Sequence, residues 1–65
     1  MIDSVTTLLM TYFPDSRPVK MTTLKRKCLS AVIDETVEKD YLMTYFSDGE
    51  TLCVITEKGR QLRNK

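Results

Sequence analysis

The sequence has no histidine and no tryptophan, and only two cysteines, two glycines and two prolines in 65 residues. Without histidine, no side chain has an ordinary pKa near neutrality, and general acid–base chemistry loses its usual carrier. Two cysteines fall short of the four Cys or His ligands of a structural zinc site. Cys28 and Cys53 form no Cys-x-x-Cys pair and occupy positions that read as apolar. They predict buried thiols in a reducing compartment, with a Cys28–Cys53 disulfide as the alternative. The two glycines build no phosphate loop. No apolar run approaches the ~20 residues of a membrane span, and Met1-Ile2-Asp3-Ser4 lacks the basic start of a secretory signal. The expectation is a soluble, cytoplasmic protein that is not an enzyme and uses neither metal nor cofactor.

What is present suits one small folded domain over residues 1–65, with 42% hydrophobic residues. A core this small is marginal, and dimerisation is an ordinary remedy. The net charge of +1 conceals a strong segregation. Arg17, Lys20, Lys25, Arg26 and Lys27 form a basic stretch beside Asp15 alone. Asp34, Glu35, Glu38, Asp40, Asp48 and Glu50 form an acidic one broken by Lys39. Lys58, Arg60, Arg63 and Lys65 form a basic tail against Glu57. Such polarity orients a protein on an anion or an oppositely charged partner. Asp34, Glu35 and Glu38 also lie one helical turn apart, as paired catalytic carboxylates do, but any solvated acidic face shows that spacing.

Apolar residues at Ile2, Val5, Leu8, Leu9, Tyr12 and Phe13 predict a helix over 2–13, capped by Asp3 or Ser4 and ended by Pro14. Pro14 to Pro18 is a loop, and Val19-Lys20-Met21 suits a short extended piece. Thr22 or Thr23 is a candidate cap for a second helical region. Its apolar stripe is Leu24, Cys28, Leu29, Val32, Ile33, Thr36 and Val37. That stripe holds phase across Ser30-Ala31, with no Gly or Pro to interrupt it. One helix over 22–39 and two helices broken near Ser30-Ala31 are both open. Asp48-Gly49 between two apolar runs predicts a hairpin of 41–46 and 51–56. A two-residue turn pairs Leu42 with Ile55, Met43 with Val54, Thr44 with Cys53 and Tyr45 with Leu52. One face then carries Met43, Tyr45, Leu52 and Val54, apolar enough to predict a dimer or partner contact. Thr56 offers a hydroxyl to cap a last helix from Glu57 to about Arg63.

The run from Tyr41 to Leu62, with its Asp-Gly turn and the junction Thr56-Glu57-Lys58-Gly59-Arg60, resembles the wing and following helix of winged helix–turn–helix domains. The resemblance extends more loosely back to the first helix. It implies an α+β, mainly α, winged-helix-like domain: helix, loop, helix–turn–helix, hairpin wing and short C-terminal helix. It places Tyr41-Leu42 at the entry to the wing, and Cys53 and Ile55 at its inward positions. It also implies a helix that reads the major groove and a wing beside the backbone or minor groove.

Three features differ from that pattern. The interval from Phe13 to Tyr41 is short for two helices and a strand. The helix before the hairpin is acidic at Asp34, Glu35 and Glu38. The turn carries Asp48 and Glu50, where phosphate favours cations. Any DNA surface is therefore expected on Arg17, Lys20, Thr22, Thr23, Lys25, Arg26 and Lys27, joined by Lys58 and Arg60. Hydroxyls, cations and helix-start amides together suit phosphate oxygens, although a run of Lys and Arg also simply keeps a small protein in solution. The expected function is a homodimeric regulator of transcription that binds double-stranded DNA. The alternative is a protein-interaction module, an adaptor or inhibitor of a host or regulatory protein, working through Asp34, Glu35, Glu38, Asp48 and Glu50.

Overall fold

A computed structural model describes residues 3–64. Ile2 of the first apolar stripe and Lys65 of the basic tail lie outside the described residues. The elements run α1 (Ser4–Tyr12), β1 (Val19–Lys20), α2 (Met21–Lys27), α3 (Ser30–Glu38), β2 (Leu42–Ser47), β3 (Glu50–Ile55) and α4 (Glu57–Arg63). They form a small α+β domain, four helices against a three-stranded antiparallel sheet of order β1-β3-β2.

Asp3 is the N-cap of α1. Its carboxylate accepts from the Thr6 N–H at 2.7 Å, and the Thr7 hydroxyl donates to its carbonyl at 2.9 Å. The helix buries Val5, Leu8 and Leu9, and Phe13 seals its end before Pro14.

The middle of the chain is two helices, and the break falls at Cys28 and Leu29, one turn-half earlier than Ser30-Ala31. Both residues are extended, with ψ of 153° and 135°. Extended backbone at Leu29 rotates its side chain out of the apolar stripe, so Leu29 is 75% exposed rather than core. Neither Thr22 nor Thr23 caps α2. Met21 begins the helix instead of extending β1, which leaves Lys20 as an N-cap with no acceptor to offer. A two-residue strand and helices of seven and nine residues fit the interval that looked too short.

The hairpin has the expected register, from Leu42↔Ile55 to Ser47↔Glu50, with strands reaching one residue nearer the turn. Asp48 (φ 51°) and Gly49 (φ 79°) both take the left-handed backbone that a two-residue turn demands. Alternation sends Val19, Leu42, Cys53 and Ile55 toward the helices, where Leu42, Cys53 and Ile55 are buried with Leu24 and Ile33. Thr36 is buried among them, its hydroxyl donating to the Val32 carbonyl at 2.6 Å. The opposite face carries Met43, Tyr45, Leu52 and Val54. Met43 and Tyr45 are exposed and the other two half-buried.

Thr56 does cap α4. Its hydroxyl accepts from the Gly59 N–H at 3.0 Å and donates to the Asp40 carbonyl at 2.6 Å. At the far end of α4, Arg63 Nη1 donates to the Phe13 carbonyl at 2.7 Å, tying the last helix to the end of the first. No helix among the described residues is long and apolar enough to cross a membrane.

Candidate nucleic-acid interface

The nine basic and hydroxyl residues read from the sequence lie in the loop before β1, on β1, on α2 and on α4, and differ in what they touch. Arg17 lies in the loop before β1 beside Asp15, 3.6 Å away, with Asp15 also accepting from the Arg17 backbone N–H. Lys20, on β1, meets Glu50 of β3 at 3.4 Å. Both pairs are exposed and of small energetic consequence, about 0–1 kcal/mol each. Each sets a carboxylate beside the cation, which a phosphate would have to displace. Lys58 sits 5.4 Å from the centre of the Tyr41 ring, a cation–π contact at the start of β2. Arg60 is half-buried on α4. Thr22 is exposed and Thr23 half-buried in the first turn of α2.

Lys25, Arg26 and Lys27 behave differently. All are exposed, and among the described residues none has an ion-pair partner within 4.0 Å. They fill the last turn of α2 and not a helix start, because the helix ends at Lys27. Cations are stable there, against the negative end of the helix dipole. At roughly 100° per residue, Arg26 lies opposite the buried Leu24, and Lys25 and Lys27 flank it.

The break delivers this trio to the start of α3. Leu29 has no side chain able to cap, and its carbonyl accepts from the N–H groups of Val32 and Ile33. The N–H groups of Ser30 and Ala31 stand in the first turn without an intrahelical partner, as helix starts dictate. Both residues are exposed and uncharged. They carry no sequence signal beyond Ser30 as a possible helix-start residue; adjacency in the chain sets them beside the cations, and the break turns them into the start of a helix. Together Lys25 to Ala31 present three cations and no carboxylate.

The acidic residues occupy the remainder of α3. Asp34, Glu35 and Glu38 are exposed, and among the described residues Lys39 pairs with Glu35 alone, at 3.4 Å. Asp34 lies about 6 Å and Glu38 about 12 Å along the axis from Ser30. The turn carboxylates Asp48 and Glu50 are exposed at the tip of the hairpin.

Beside the junction, α1 and α3 frame an open groove of about 340 Å³. Leu8, Tyr12, Cys28, Leu29 and Val32 line it with Lys27 at its rim. Both cysteines are free. Burial pushes the Cys53 thiol up despite the attraction of nearby Lys25, so it stays protonated, with its sulfur 3.9 Å from that of Met21. Compared with family models, with curated proteins and with solved structures, the chain matches none.

Proposed function

We propose that this chain is a winged-helix-like domain that binds duplex DNA and regulates transcription. The reading is supported by the element order, in which two helices follow a short strand and precede a hairpin, with that strand and the hairpin joined in one sheet. It rests above all on Lys25, Arg26 and Lys27 at the α2–α3 junction, exposed cations without an ion-pair partner among the described residues. In this docking mode the three cations grip backbone phosphates. The first turn of α3 enters the major groove, where helix starts reach base edges. The Ser30 hydroxyl and two uncapped amides are the donors available there. Asp34, about 6 Å along the axis from Ser30, lies within the screening length of about 8 Å and weakens phosphate contact at the first turn, and Glu38 at about 12 Å opposes deeper insertion.

Affinity for a duplex is therefore expected to depend steeply on salt between about 50 and 200 mM. Replacing Lys25, Arg26 and Lys27 together by Ala is expected to lower the log–log salt slope by about 2 to 3, at roughly 0.9 per phosphate. The fall in affinity should exceed tenfold, with circular dichroism unchanged. Equal affinity of the triple variant and the parent would defeat the reading.

The exposed carboxylates Asp34, Glu35 and Glu38 favour a second reading, a module that docks a basic protein surface. No duplex shift at low salt, with capture of a partner that is lost when these three are changed to Lys, is the outcome that selects it.

A further inference from the structure

The geometry points to the open edge of β2 as a pairing surface for a second copy of this chain, two β2 strands joining antiparallel across a two-fold axis into one continuous sheet. In the order β1-β3-β2 the sheet has two edges, and they differ. β1 is two residues long, follows Pro18, and carries Lys20 paired to Glu50. Shortness, proline and charge are the devices by which proteins blunt an edge. β2 runs six residues, and from Tyr41 to Ser47 it holds no charge and no proline.

The turn determines which backbone groups lie open. Ser47 and Glu50 close a two-residue turn and exchange hydrogen bonds, so Met43 and Tyr45, at alternate positions, also bond toward β3. Leu42, Thr44 and Phe46 turn their N–H and C=O groups the other way. Among the described residues no other backbone group bonds to them. On the far side of the sheet the same alternation pairs Cys53 with Val19 of β1, so β3 has a partner strand on both flanks, a short one on that side, and β2 on one. The side chains along this edge are exposed: Phe46 73%, Met43 56% and Tyr45 40%. Leu42, at 1%, is closed beneath the helices, so the free stretch is 43–47.

An occupant must bring an extended backbone, apolar or neutral side chains, and no unpaired charge to set against Phe46 and Tyr45. β2 itself meets each demand. Pairing centred on Tyr45 sets Thr44 opposite the partner's Phe46 and Met43 opposite the partner's Ser47. The Thr44 pairs exchange both their backbone bonds, so the open groups of one copy satisfy those of the other. Both Phe46 rings lose water. The contact uses the same patch on each copy and closes on itself, giving a dimer rather than a fibre. It is independent of the cations at the α2–α3 junction.

Sedimentation equilibrium on the whole chain from about 10 µM to about 1 mM tests this, with amide hydrogen exchange across the same range. A monomer–dimer equilibrium is expected, with protection at the Thr44 and Phe46 amides rising with dimer fraction. Thr44→Pro removes an outward N–H and spares the bonds to β3, as proline on an edge strand does. Phe46→Lys brings like charges to the seam. Each is expected to weaken dimerisation at least tenfold; should Thr44→Pro fail to fold, Phe46→Lys at its exposed site decides alone. A chain monomeric throughout, or a dimer that tolerates Phe46→Lys and dissociates on Leu52→Lys at the outer sheet face, overturns the inference. So does a dimer whose Thr44 and Phe46 amides gain no protection.

Discussion

At Gly59, α4 crosses the start of β2 so closely that a Cβ would collide with the Tyr41 carbonyl oxygen and come 2.8 Å from Ile55 Cγ1. Backbone and buried side chain cannot both yield. Gly59→Ala is therefore expected to destabilise by about 1–3 kcal/mol, the range for overpacking, read as a lowered urea midpoint. No loss would mean that α4 sits farther from the sheet. Asp3 works through charge. The Thr6 backbone N–H holds its carboxyl below the ordinary 3.8, so the folded state favours the anion. Its contribution to α1 is complete above pH 3.8 and is lost as pH falls through the lower folded value. A carboxyl titration by NMR should place the Asp3 midpoint below 3.8, and a midpoint at or above it would contradict the cap. The cap at Thr56 was legible in the sequence and that of α1 was narrowed to Asp3 or Ser4, because such a residue before an apolar period is a local signal. The same signal at Thr22 and Thr23 misled, since α2 starts earlier, at Met21. The tight approach at Gly59 was not legible, since it depends on the distance between two elements.

At the scale of the element, the α2–α3 break separates two leucines that the sequence set in one stripe. Leu24 is fully buried and Leu29 is 75% exposed. Leu24→Ala is expected to cost about 2–5 kcal/mol, and Leu29→Ala to stay within about 0.5 kcal/mol. Comparable losses at both, measured by chemical denaturation, would restore a single continuous helix. The periodicity could not settle this, because no Gly or Pro marks Cys28 or Leu29 and the apolar spacing runs on unbroken. Dihedral angles at two residues change the direction of α3 without changing the pattern. The register of the hairpin was legible, since turn length alone fixes it, although both strands lie one residue nearer the turn than expected. That β2 is an edge was not, because it follows from where the distant Val19-Lys20 pair joins the sheet.

Across the whole molecule, the segregation of charge seen in the sequence survives folding only in part. Arg17 and Lys20 are set against carboxylates and Lys58 against an aromatic ring, while Lys25, Arg26 and Lys27 meet no ion-pair partner among the described residues. Sequence order showed the blocks of charge. Which cations remain free depended on neighbours brought in from other strands and loops. The core is likewise assembled from both extremes of the chain, with Phe13 and Leu9 buried as deeply as Cys53. Arg63 holds the carbonyl of Phe13 across fifty residues, and α4 packs on α1. The helix at one end of the core is thus held by the helix at the other, so fraying of α4 loosens α1 as well, and the two open together rather than separately.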